Sequence, residues 1–151
     1  MKKLITSLLI SLGVGGLSAL ITSGSMDVYS TLIKPPFAPP SILFPIVWTI
    51  LYILMGISAY MIYDSYGDEK NVALKTYLFQ LLINFIWPIF FFVLGYRLIA
   101  LIIILILLIS IIYMIIRFYK INKIAAYLQI PYLVWVSFAT YLNYAFYILN
   151  K

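Results

Sequence analysis

Long stretches without a charged side chain constrain this chain more than any other feature. Its lysines, arginines and carboxylates gather in short islands. Between the islands run uncharged apolar segments of roughly 18 residues or more, enough to cross ~30 Å of hydrocarbon at about 1.5 Å per helical residue. Of the 151 residues, 66% are hydrophobic and 9% charged, with a mean hydropathy of +1.12. A water-facing surface cannot be assembled from that composition. The expected fold class is therefore all-α, a polytopic membrane protein built as a five-transmembrane-helix bundle.

The five spans fall at Leu4 to about Ser25, Ser41–Tyr63, Thr76–Tyr96, Leu98–Ile116 and Ile124–Asn150. Only Gly95-Tyr96-Arg97 separates the third from the fourth, so those two helices must be antiparallel neighbours. The bundle takes up residues 1–151 as one domain. With an odd number of spans the termini lie on opposite sides. One side collects Lys2, Lys3, Lys70, Lys75, Arg117, Lys120 and Lys123, and the other has Lys34, Arg97 and Lys151. In a plasma membrane the positive-inside rule puts the amino terminus in the cytoplasm and the proline-rich first loop outside.

The opening "MKKLITSLLISLGVGGLSA" also has the pattern of a signal peptide, with a basic start, an apolar stretch and small residues near Ser18 and Ala19. Against that stands the row Ser7, Ser11, Gly15, Ala19 and Ser23, small at every fourth position, which admits the backbone of another helix and reads as packing surface. The fourth span, nearly all aliphatic, is expected to face lipid on most sides.

The chain has no cysteine and no histidine. This removes disulfides, thiolate nucleophiles, imidazole bases and most transition-metal sites, so neither hydrolytic chemistry, a metal nor a cofactor is expected. The net charge of +6 sits at span ends rather than along a stripe, which reads as topology signal and not as a nucleic-acid surface. Transport is disfavoured because the spans are expected to carry neither a charge near the midplane nor a broken helix there.

Three spans turn polar and aromatic groups to one face. Trp48, Tyr52 and Met55 share a face of the second, Gln80, Asn84 and Trp87 of the third, and Tyr132, Trp135, Ala139 and Asn143 of the fifth. An amide facing lipid without a partner costs several kcal/mol, so Gln80, Asn84 and Asn143 should point inward. Taken singly they are interhelical glue; taken together with the tryptophans they outline a pocket for a large, flat, apolar ligand. The stretch "KPPFAPPSILFP" places Pro35, Pro36, Pro39, Pro40 and Pro45 at the entrance to the second span. Residues 34–40 should be extended and stiff, serving either as a lid on the pocket or as helix punctuation, with Pro45 in the first turn.

The segment "LIKPPFAPPSILFPIVWTILYILMG" resembles the first-loop and second-helix signature of the translocator protein family, also known as tryptophan-rich sensory proteins (TspO/MBR) or peripheral benzodiazepine receptors. The matching residues are Lys34, Pro35, Pro39, Pro40, Phe44, Trp48, Leu51, Tyr52, Met55 and Gly56. "QLLINFIWPIFFF" resembles the family's third helix and "AAYLQIPYLVWVSFATYLNYAFYILN" its fifth. The likeness covers essentially the whole chain. It implies a homodimeric five-helix protein of the bacterial cell membrane with a cavity under the first loop, binding and sensing protoporphyrin IX, haem-like tetrapyrroles, sterols and benzodiazepine-type compounds. Tyr29, Pro39, Trp48, Asn84, Trp135 and Ala139 match pocket positions, and Tyr52, Trp87 and Asn143 join them from the face pattern. If the protein degrades porphyrin in light, Trp48 and Trp135 are the implied reactive side chains. Phe37 and Val28 stand where the family often has tryptophan. The family's sterol pattern fits Leu142, Tyr147 and Lys151, a match that arises readily by chance in so tyrosine-rich a chain.

Overall fold

The computed structural model describes residues 1–150, apart from the side chains of Met26 and Val28. Helix α1 covers Lys2–Thr22 and continues through a 3-10 turn, Ser23–Ser25, into the short α2, Met26–Thr31. After the proline-rich loop come α3 (Leu43–Tyr63), α4 (Glu69–Pro88), α5 (Arg97–Ile121), α6 (Lys123–Leu128) and α7 (Ile130–Asn150). Among the described residues, five helical stretches are long and apolar enough to cross a membrane: Lys2–Ser25, Leu43–Tyr63, Glu69–Val93, Arg97–Ile121 and Lys123–Asn150.

Where the expected boundaries move, the cause is local. The third helix starts at Glu69 rather than Thr76, and the fourth runs to Ile121 rather than Ile116. Charged residues end an apolar run, but they do not end a helix, whose backbone bonds continue beyond the hydrocarbon. Pro88 lacks the N–H that would bond the Asn84 carbonyl, and the next residues, Ile89–Val93, widen into a π-helical turn. That turn closes with the Tyr96 N–H on the Phe90 carbonyl at 2.9 Å and Gly95 at φ 71°, the left-handed terminator that glycine accepts without strain. The fifth span is interrupted at Gln129, because Pro131 cannot bond the Tyr127 carbonyl one turn back. Asn122 caps the first piece, its side chain accepting from the Ile124 and Ala125 N–H groups at 3.0 and 3.2 Å.

The helices pack as a ring. α1 lies mainly against α3 and also touches α4; α5 sits between α4 and the α6–α7 rod, which returns to α3. The row of small residues on α1 makes the first of these contacts possible. Ser7 Oγ donates to the Gly56 carbonyl at 2.7 Å and Ser11 Oγ to the Tyr52 carbonyl at 2.8 Å. A Cβ on Gly15 would lie 2.5 Å from the Tyr52 ring, and one on Gly56 would lie 2.7 Å from Ser11 Oγ. α5 buries one stripe, Ala100, Ile104, Leu107, Ile111, Met114 and Phe118, and exposes its other faces.

The loop from Leu32 to Ile42 is not extended throughout, as its prolines suggest. A reverse turn closes with the Ala38 N–H on the Pro35 carbonyl at 3.3 Å. Pro36 presets the turn's first corner, and Phe37 takes the second at φ 69°, a region that costs a non-glycine residue about 1–2 kcal/mol. Side chains from both flanks hold this shape. Tyr29 Oη donates to the Pro39 carbonyl, and burial raises its pKa so that it remains a donor. Tyr141 Oη reaches the Pro36 carbonyl at 2.9 Å. The Asn150 amide bonds both the N–H and the carbonyl of Ile33, at 2.9 and 3.0 Å.

Candidate functional site

Beneath this loop lies a cavity of about 350 Å³ enclosed by α1, α3, α4 and the π turn. Each helix contributes a different kind of wall. α1 supplies small side chains, Gly15, Ser18, Ala19 and Thr22, which leave the space open. α3 supplies Trp48 and Tyr52, one turn apart, with Phe44 above them. α4 supplies Asn84 and Trp87, and Pro88 and Phe92 follow where the helix widens.

The polar atoms around the cavity are largely committed to one another. Tyr52 Oη donates to Asn84 Oδ1. Asn84 Nδ2 donates to Tyr132 Oη at 2.7 Å, and Tyr132 Oη donates onward to Gln80 Oε1 at 2.7 Å. Gln80 Nε2 then reaches the Tyr77 carbonyl at 2.9 Å. A second chain runs from Trp87 Nε1 to Asn143 Oδ1 at 2.8 Å and from Asn143 Nδ2 to the Arg97 carbonyl at 2.9 Å. On α1, the Thr22 and Ser23 hydroxyls bond carbonyls of their own helix. A ligand therefore meets a wall of aromatic faces, with few polar atoms free to receive it.

The nine residues singled out in the sequence fall into four positions. Trp48, Tyr52, Asn84 and Trp87 line the cavity. Trp135 stands one layer behind, edge-on to Trp48 with ring centroids 6.4 Å apart and packed on Phe44 at 6.0 Å. Its buried indole N–H has no hydrogen-bond partner among the described residues. Ala139 and Asn143 are buried along α7, and Tyr29 and Pro39 join beneath the loop. None of these last five touches the cavity. Sequence reasoning did not place α1 in the wall: the small-residue row was read as packing alone, whereas its upper members, from Gly15 on, also border the space. Phe44 and Phe92 were likewise missed, because phenylalanine occurs so often here that no single one stands out. In the sterol pattern, Leu142 is buried in the bundle, and Lys151 lies outside the described residues.

The model of the TspO/MBR family matches residues 6–149. The chain belongs to that family. A tryptophan-rich protein TspO from Archaeoglobus fulgidus is 38% identical over 98% of this chain and 97% of its own length. One from Chlorobaculum tepidum is 38% identical over 81% and 78%, and the translocator protein of Bos taurus is 36% identical over 91% and 83%. Together with the five spanning helices, membership makes the chain an integral, multi-pass membrane protein. Phe37 occupies the strained corner of the first-loop turn and is 85% exposed.

Proposed function

We propose that this TspO/MBR protein binds and senses a tetrapyrrole such as protoporphyrin IX in the cavity beneath its first loop. One observation carries the reading: a space of about 350 Å³ walled by Trp48, Trp87, Phe44 and Phe92, whose neighbouring amides are already satisfied. Such a wall favours a flat, apolar, polarisable molecule over a polar solute, since stacking is gained without stripping unpaired polar groups of their bonds. Sterol-like and benzodiazepine-type compounds meet the same physical criterion. The relative named as a tryptophan-rich sensory protein supports a role in sensing. The pinned loop serves as the lid, and it loses little entropy on closing because its side-chain ties already exist.

The protein acts, in this reading, as a homodimer in a bacterial cell membrane, its lysine-rich end and amino terminus in the cytoplasm. The test is fluorescence quenching by protoporphyrin IX, with haem and cholesterol alongside. Trp48→Phe leaves Trp87 in the cavity wall as reporter and should weaken porphyrin binding severalfold, and Trp48→Phe with Trp135→Phe should weaken it further. Unchanged quenching in the double variant would overturn the stacking model.

A second reading, light-driven degradation of bound porphyrin, draws support from the edge contact of Trp48 with Trp135. Illumination of wild type and double variant side by side tests it: equal loss of porphyrin absorbance removes it.

A further inference from the structure

At the opposite, lysine-rich end, α1, α3 and α4 enclose a second space of about 440 Å³, separate from the cavity under the loop. Its walls are Ile10 of α1, Ala59 of α3, and Leu74 and Leu78 of α4. Ile10 and Leu78 are exposed, so in a bilayer this groove opens toward the acyl chains. Its charged end is at Lys2 and Lys3. Eight residue steps along α1 carry the wall from Lys2 to Ile10, a depth of about 12 Å.

Two features set the chemistry of an occupant. First, the end has a surplus of four positive side chains, seven basic against Asp64, Asp68 and Glu69. Ion pairs already engage two of the cations: Lys3 meets Asp64 at 3.7 Å and Arg117 meets Glu69 at 3.2 Å. These pairs also show that the α1 start, the α3–α4 connection and the α5 end share one side of the bundle. Lys2, at the groove itself, has no ion-pair partner among the described residues. Second, the walls beyond the lysines are mostly hydrocarbon.

We propose that this groove holds an anionic phospholipid from the leaflet at the lysine-rich end. The phosphate lies against Lys2, and one acyl chain lies along Ile10, Ala59 and Leu78. The match is one of charge and polarity together. A soluble phosphate would leave the apolar walls uncovered, and a zwitterionic lipid would bring its own cation beside Lys2 along with its phosphate.

The experiment is native mass spectrometry of full-length, delipidated protein offered phosphatidylglycerol or phosphatidylcholine at equal concentration, with porphyrin quenching measured on the same samples. Wild type should retain phosphatidylglycerol about fivefold better, the preference expected of about 1 kcal/mol from one lysine. Lys2→Gln should bring the two lipids level, and Leu78→Trp, on an exposed position that tolerates size, should reduce retention of both. Porphyrin quenching should be unchanged in Lys2→Gln and Leu78→Trp, which separates failure here from failure of the tetrapyrrole reading. Equal retention of the two lipids by wild type overturns the proposal, as does full phosphatidylglycerol retention by Leu78→Trp. Dissociation of a dimer by Leu78→Trp with retention intact assigns the groove to a second copy of the chain and overturns it too.

Discussion

The contact of α1 with α3 and the meeting of α4 with α7 hold one bundle together by opposite means. Between α1 and α3 the backbones approach closely, because Gly15 and Gly56 offer no side chain and Ser7 and Ser11 spend their hydroxyls on carbonyls of the facing helix. Between α4 and α7 long side chains do the bridging: Asn84 and Gln80 meet Tyr132, and Trp87 meets Asn143. In hydrocarbon the first arrangement works through dispersion and shape, the second through polar groups with no other partner available. The difference teaches where the cavity can be. It opens where small residues of α1 continue past the close contact, and its far wall is kept rigid by the bonded seam.

Substitutions can break that contrast, and the largest effect belongs to shape. Gly56→Val should cost about 3 kcal/mol by forcing α1 off α3, whereas Gly16→Val, where an added Cβ meets nothing within 4 Å, should melt close to wild type. Similar melting temperatures for the two in detergent would deny α1 its close fit. Next comes Tyr132→Phe, which strips Asn84 of an acceptor and Gln80 of a donor; about 2 kcal/mol is expected, along with weaker porphyrin binding as Asn84 and Tyr52 lose their alignment. Phe37→Gly should stabilise by about 0.5–1 kcal/mol, the relief of a left-handed corner less the entropy of glycine. Ser7→Ala should cost least, about 0.6 kcal/mol. Should Ser7→Ala prove as costly as Tyr132→Phe in equilibrium unfolding, the two contacts differ in appearance only.

Much of the fold was legible in the sequence, and for one reason. Apolar length and charge placement are one-dimensional properties, so the five spans and the tight turn at Gly95 could be read directly. The breaks at Pro88 and Pro131 were not read: the third and fifth spans were expected to run unbroken, and the structure interrupts both. Proline announces a missing hydrogen bond but does not say whether the helix will widen, as after Pro88, or split, as at Gln129. The inward faces of α3, α4 and α7 were read correctly from their spacing, since a lone amide in lipid has to turn inward. Which partner each would find was not readable, because Asn84 with Tyr52 and Tyr132, or Trp87 with Asn143, depends on the rotation of three helices about their axes. The loop's turn was also hidden: five prolines suggest an extended strand, and only the ties to Tyr29, Tyr141 and Asn150 hold Phe37 in a conformation it would not choose alone.

Sequence alone thus determined that this chain crosses a membrane five times and that its amides must face one another. Only the tertiary structure decided that the open space borders α1 rather than Trp135. Hydropathy and spacing set which side of a helix is buried, but a void exists where side chains from several helices fail to fill the volume between them, and no single helix contains that information.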